Sequence, residues 1–425
     1  MAWNSWSFMR RGSLLAYGAG GQGSAVRSAR ARYRRELASR AGGEQDGRML
    51  PGGARGAILV DREITSLLGT ALRPAASARP IEPDQVQSSS LDLRLGPRAH
   101  RIAASFLPAR SILHERLAEL ETARLSLEPP GAILERGGVY LVPLDEELEL
   151  PPDLRASFNP RSSTGRCDLF ARVLAPGHGR FNEAPAGWRG PLWLEIAPLS
   201  FAVRLVRGDR LCQVRLERGE ARLDAGELLA EHRRAPLAWS EGRPLEASEL
   251  QIDAEGGLAL HLGLVGREPA GWRARIEAPV LEFGRERAHE PREFWEGVHA
   301  PNGHCVLAPG GFYLFASRER VRVPPHLAAE MVPVDVGLGE MRNNYAGFFD
   351  NGFGWRDEPI PGTPAVLEVR AHDVPFLVED GQVFFRLRFF ATSGRPERLY
   401  GEGRGSRSYQ DQDLALARCF RASEP

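Results

Sequence analysis

The chain contains one pattern twice. "GGVYLVPLDEELELPPDLRASFNP" from Gly137 aligns with "GGFYLFASRERVRVPPHLAAEMVP" from Gly310, placing Tyr140 over Tyr313 and Pro151-Pro152 over Pro324-Pro325. The same spacing of 173 positions carries "LWLEI" around Glu195 onto "AVLEV" around Glu368, and Gly208 onto Gly381. One register held this long makes two tandem copies of a single structural unit the expected architecture.

Both copies read as short alternating or β-branched runs broken by Gly, Pro and Asp, the pattern of a mainly antiparallel β unit. In "GPLWLEIAP", Leu192, Leu194 and Ile196 share one strand face, with Trp193 and Glu195 on the other. Helical signal is confined to "DREITSLLG" with Asp61 at the N-cap, "SILHERLAELETARL" from Ser111, and "AGELLAEHRRA". The copies are expected over residues 56–240 and 241–425, joined between 225 and 250, where periodicity gives way to Pro, Gly and charge. Residues 1–55 are rich in Arg, Gly, Ala and Ser, with no acidic residue before Glu36. A disordered extension, or a start codon placed too early, is expected there ahead of an organellar transit peptide.

Composition narrows the function. Basic and acidic residues balance at 55 each, with no lysine, so no net field favours nucleic acid or a membrane surface. No apolar run approaches the roughly 20 residues a membrane helix needs. Cys167, Cys212, Cys305 and Cys419 lie far apart with no C-x-x-C pair, which argues against a disulfide framework or a thiolate zinc site and fits a reducing cytoplasm. His304 and Cys305 lack a matching second pair, and "RARYRRELASR" reads as a solvated helix face. "GGQG" and "GGARG" lack the strand and helix that a phosphate loop needs.

The chemistry concentrates in "SFNPRSSTGRCDLF", where Ser162 and Ser163 lie between Arg161 and Arg166. With "GAILVDREI", "IEPDQVQSSSLDLRLG", the "VLEV" strand and the tail "SYQDQ", the chain from about residue 56 onward resembles the dCTP deaminases of the deoxyuridine-triphosphatase superfamily, in a long, tandem-duplicated form. The resemblance implies a mainly β fold: two tandem dUTPase-like distorted β-barrels, of β-clip or jelly-roll type, with a few short helices. It also implies sites where neighbouring barrels meet, Mg2+ carried by the substrate triphosphate, and no catalytic zinc at the base. Deamination adds water at C4, protonates N3 and expels ammonia, so one group that takes a proton and returns it suffices. Zinc deaminases use H-x-E and P-C-x-x-C ligands instead, and P-C-x-x-C does not occur here.

The copies have diverged. At the offset of Arg161, Ser162, Ser163 and Arg166 the second has Val334, Asp335, Val336 and Gly339. Conversely, "AGFFDNGFG" (346–354) resembles the family's nucleoside-binding hairpin, while the first copy's "HGRFNEAPAGWRG" matches it poorly. A composite site is therefore expected. In it Ala346, Asp350 and Phe353 of the hairpin hold the nucleoside, Ala346 and Ser162 position water, and Glu368 is the proton shuttle. Arg166 supports the carboxylate, Arg161 and Ser163 meet phosphate, and Tyr409 and Gln412 of the tail close over it. Glu195 is retained as a second catalytic candidate, read more readily as a relict or structural carboxylate. Asp92 is expected to brace a turn or strand. In the tail, Ser408 stands where members often carry Lys.

The expected partners are dCTP, the product dUTP and a homo-oligomeric copy of the chain; inhibition by dTTP is left open. Two rivals stand. Asp350 keeps open a dUTP pyrophosphatase or a bifunctional enzyme, and the degenerate block keeps open a non-catalytic deoxynucleotide sensor.

Overall fold

A computed structural model of the chain describes residues 56–107, 113–333, 341–342, 347–358, 360–371, 373–402 and 409–422. The expected N-terminal extension lies outside these residues, as do Ala346, Ser408 and the second copy's counterpart of the Arg-Ser-Ser block.

The alternating runs fold as strands, and the repeat governs where they begin and end. In the first unit the strands that frame the site and the repeat are β1 (Leu91–Arg94), β2 (Ala132–Leu134), β3 (Val139–Glu149), β4 (Leu154–Pro160), β5 (Leu169–Leu174), β6 (Arg189–Pro198), β7 (Val203–Leu205) and β8 (Arg210–Arg218). The second unit has β9 (Gly257–Gly263), β10 (Leu281–Glu282), β11 (His304–Leu307), β12 (Phe312–Val321), β13 (Leu327–Pro333), β14 (Phe348–Phe349), β15 (Thr363–Ala371), β16 (Phe376–Glu379) and β17 (Val383–Ala391). The helices are α1 (Asp61–Ser66), α2 (Leu113–Leu120), α3 (Ser162–Gly165) and α4 (Ala225–Arg234), with further single turns at Pro83–Gln85 and Pro291–Phe294.

Pairing is almost entirely antiparallel and repeats between the units. β6 lies between β3 and β5, with Glu195 opposite Leu141; β15 lies on β12, with Glu368 opposite Leu314. β7 pairs with β2 as β16 pairs with β11, Val203 facing Leu134 and Phe376 facing Leu307. The hydroxyl of Tyr140 accepts from the Glu135 amide at 3.0 Å, and that of Tyr313 from the Ala308 amide at 2.8 Å. Each ring lies against a glycine, Gly138 or Gly311, where a Cβ would come within 2.8 Å of it. Upstream the repeat continues at a spacing of 167: β1 and β9, "LDLR" and "LALH", pair with β8 and β17 in the same manner. Buried Glu146 holds Arg94 as Glu319 holds His261.

Each unit has its own apolar core, but the chain sews the two together. The first core also takes in Trp295, Phe312, Leu314 and Val366 of the second unit, and Leu416, Ala417, Cys419 and Phe420 at the chain's end. β10 adds in parallel to β7, so a strand of the second unit completes a sheet of the first.

Two local expectations are corrected. Val60, not Asp61, is the N-cap of α1; the Asp61 carboxylate instead accepts from the amides of Glu397 and Arg398 at 3.0 and 3.1 Å. "ETARL", read as helix, is strand from Glu121 to Ser126, because Arg98–Ile102 offers it a ladder that an exposed helical turn does not. The helix in "AGELLAEHRRA" forms as expected; Asp224 caps it by accepting from the Glu227 amide at 2.8 Å.

Candidate active site at the junction of the two units

β4 ends at Pro160 and the chain turns sharply into α3. Arg161 donates its amide to the Leu211 carbonyl at 2.8 Å, and the buried Thr164 hydroxyl donates to that same carbonyl at 2.8 Å. These two bonds fix the Arg161–Arg166 block against β8. Glu368 approaches from β15 of the other unit and is buried. A Cβ placed on Gly165 would lie 2.2 and 2.4 Å from its two carboxylate oxygens. Only a residue without a side chain admits that approach. The glutamate of the second copy therefore rests on the backbone of the first copy's block.

The tail completes the arrangement. The Tyr409 hydroxyl is 2.8 Å from Ser163 Oγ, and the Arg166 guanidinium carbon stands 3.7 Å over the Tyr409 ring. Arg166 Nη1 donates to Gln412 Oε1 and to the Ala415 carbonyl, both at 2.7 Å. Its buried Nε has no hydrogen-bond partner among the described residues. Gln410 accepts from the Gly354 amide at 2.9 Å and donates to the Gly352 carbonyl at 3.1 Å, tying the tail to the hairpin.

Arg161 Nε lies 3.2 Å from Asp92 Oδ1. Burial pushes the Asp92 carboxyl above its usual range, against the pull of Arg161 and Arg210. In the hairpin the Asp350 carboxylate turns inward: Arg215 Nη2 donates to it at 2.9 Å, and the Ser89 and Ser90 hydroxyls at 3.0 and 3.3 Å. Buried Phe353 packs on Phe349 and Tyr400, with ring centroids 4.8 and 5.6 Å away.

Glu195 has a different setting. It accepts from Arg172 Nε of its own unit at 2.7 Å, and Arg172 stacks 3.6 Å over Phe181 and donates to Ser105 at 2.6 Å. Trp193, on the same strand face, packs with Leu113 and Leu117 of α2. The Arg161–Arg166 block gives Glu195 no hydrogen bond or ion pair.

Two residues that the sequence reading passed over join the units at the site. Asn159 Oδ1 accepts from the Gly347 amide of the hairpin at 2.7 Å. Arg215, fully buried, also donates to the Ala329 and Phe349 carbonyls at 2.8 and 2.9 Å and lies 4.0 Å over the Phe348 ring. The signal for Arg215 is a charge between Val214 and Leu216 in the largely apolar strand "LCQVRL".

Comparison with known proteins identifies the family. Residues 55–220 match the family model for the 2'-deoxycytidine 5'-triphosphate deaminase N-terminal domain, and residues 224–420 match that for the C-terminal domain. The chain is 31% identical over 174 residues to a "dCTP deaminase, dUMP-forming" of Aquifex aeolicus, covering 40% of this chain and 88% of the relative. It is 31% identical over 135 residues to a "dCTP deaminase" of Halorubrum lacusprofundi, covering 31% of this chain and 62% of the relative. The crystal structure of 2'-deoxycytidine 5'-triphosphate deaminase from Agrobacterium tumefaciens superposes with a TM-score of 0.72 at 40% identity, covering 80% of this chain and all of that one. With a matched domain in each unit and one relative aligned over most of its length, the chain belongs to the dCTP deaminase family.

Proposed function

We propose that this chain is a hydrolase converting dCTP and water to dUTP and ammonia at one composite site, supplying deoxyuridine nucleotide for thymidylate synthesis. The observation that carries the reading is the seating of Glu368, from one unit, on Gly165 of the Arg-Ser-Ser block from the other. A buried carboxylate seated on the segment that carries Ser162 and Arg166 suits a reaction in which one proton is taken and returned.

In this reading Glu368 removes a proton from water as its oxygen bonds C4 and passes that proton to N3; it then takes the proton of the new C4 hydroxyl and gives it to the amine, which leaves as ammonia while the C4 carbonyl forms. Ser162, whose hydroxyl has no hydrogen-bond partner among the described residues, and the Ala346 carbonyl align the water. Arg166 offers its free Nε to charge developing at the ring. Asp350 holds the hairpin in shape through Arg215, Ser89 and Ser90, and Phe353 backs it. Arg161 and Ser163 meet phosphate oxygens, with Mg2+ arriving on the triphosphate. Glu195, paired with Arg172 beneath α2, supports the first unit rather than the reaction. We further read the protein as cytoplasmic and oligomeric, with dTTP as a candidate inhibitor competing for the hairpin.

The second reading, release of dUMP and pyrophosphate, is favoured by the name of the Aquifex aeolicus relative. Incubation of purified protein with dCTP and Mg2+, following ammonia, pyrophosphate and the nucleotide together, separates the two. Ammonia with dUTP and no pyrophosphate supports the first; ammonia, pyrophosphate and dUMP establish the second. Neither product, with dCTP bound, would overturn both in favour of a nucleotide sensor.

A further inference from the structure

Arg418 lies beyond the tail motif, in the segment whose Leu416, Ala417, Cys419 and Phe420 anchor in the first core. That anchoring directs its side chain toward the block: its guanidinium carbon stands 5.1 Å over the ring of Tyr409, the residue bound to Ser163. The Arg166 guanidinium lies over that ring too. Burial lowers the Arg418 pKa, and the positive charge of Arg161 acts in the same direction. Among the described residues no carboxylate lies within 4 Å of Arg418, and its guanidinium has no hydrogen-bond acceptor.

Each of the other cations here already has an acceptor. Arg161 faces Asp92, Arg166 is held by Gln412 and Ala415, and Arg210 faces Glu82 and Asp84. The Asp92 carboxylate pulls the Arg418 pKa the other way, but it lies beyond 4 Å and is paired with Arg161. A largely desolvated cation with no anion in contact is costly to keep, unless one is brought to it. Its planar fork suits the paired oxygens of a phosphoryl group.

Resting on the deaminase reading, we infer that Arg418 binds the polyphosphate of the substrate and is the residue by which the site distinguishes a nucleoside triphosphate from a monophosphate. Tyr409 then has two tasks. Its hydroxyl holds Ser163, and its ring offers π contact to both guanidiniums, Arg166 and Arg418.

The test uses the full chain with Arg418→Met, which keeps the apolar stem on Tyr409, and Arg418→Lys, which keeps the charge without the fork. Thermal midpoints are read first, then kcat and KM for the magnesium complex of dCTP and for dCMP, and the affinity for inorganic tripolyphosphate by calorimetry. Loss of a charge-assisted phosphate contact predicts that Arg418→Met raises KM for dCTP about 10- to 100-fold with kcat nearly unchanged. Arg418→Lys should raise it several-fold, dCMP parameters should not move, and tripolyphosphate affinity should fall in step with the dCTP effect. An unchanged KM for dCTP overturns the inference, as does a parallel loss for dCTP and dCMP, which a structural role on Tyr409 would give. If Arg418→Met fails to fold, the lysine variant decides by the same two comparisons. Should the wild type release no ammonia yet bind tripolyphosphate in an Arg418-dependent way, the deaminase reading fails and the polyphosphate site stands.

Discussion

Gly165→Ala should disable the enzyme without unfolding it. Gly165 lies in α3, and its missing Cβ would sit 2.2 Å from Oε2, 2.4 Å from Oε1 and 2.5 Å from Cδ of Glu368. Such atoms do not approach a Cβ within 3.0 Å, so the carboxylate must retreat by about 1 Å. The clash falls on the end of a flexible side chain, so the cost to stability is small. An off-rotamer Glu368 costs about 0.5–1.5 kcal/mol, offset by the roughly 0.4–1 kcal/mol that Gly→Ala gains at a compatible backbone position. The effect on chemistry is larger, since a misplacement of about 1 Å lowers rate by roughly 100-fold. The assay is ammonia release from dCTP, with the thermal midpoint measured on the same preparation. A midpoint near wild type with kcat/KM down about 100-fold is expected. Shortening the partner should relieve the clash: Glu368→Asp, harmful alone, should lose much less in the Gly165→Ala background. A Gly165→Ala enzyme within about threefold of wild type would refute the reasoning, because the carboxylate would then have no required position over that backbone.

The two repeat-related glutamates should behave differently. Glu368→Gln should abolish ammonia release while dCTP still binds, whereas Glu195→Gln should leave turnover per folded molecule within a few-fold and lower stability by about 1–3 kcal/mol through loss of the Arg172 pair, read by urea unfolding. Asp350→Ala leaves Arg215, 1% exposed at its side chain, without its carboxylate; a loss of about 3–5 kcal/mol is expected, seen as a fall in the thermal midpoint. Asp209 is pushed up to about 6 by burial, with a weaker opposing pull from the Val206 amide. Its contribution to stability is thus full below its unfolded pKa of about 4 and lost as pH rises through about 6. Asp209→Asn should flatten that part of the profile, checked by thermal midpoints of both proteins at pH 4.5 and 6.5.

Much of the fold is legible in the repeat because strand pairing is periodic and turns demand particular residues. Gly137 and Gly310 both adopt positive φ, as do Gly208 and Gly381, and each matched pair marks the same turn. Where the reading slipped, a tertiary partner outbid a local preference. Asp61 has good N-cap chemistry, but two amides far along the chain claim its carboxylate. The helical look of "ETARL" yields to a neighbouring strand with open hydrogen-bonding groups. Asp350 reads as a polar hairpin residue available to nucleotide, and its inward turn depends on Arg215 and two serines of the other unit.

The sequence by itself determined that there are two copies, that only the first keeps the Arg-Ser-Ser block, and that only the second keeps the hairpin. Those facts are written in the order of residues and need no packing to be read. It favoured Glu368 for the block through the divergence of the copies but kept Glu195 as a second candidate, because the two occupy equivalent strand positions with equivalent local sequence. The tertiary structure decided it: packing β15 of one unit against α3 of the other puts Glu368 over a glycine, while Arg172 and the cover of α2 hold Glu195 within its own unit. Such a choice depends on contacts between residues some two hundred positions apart, and no local pattern of polarity or propensity records them.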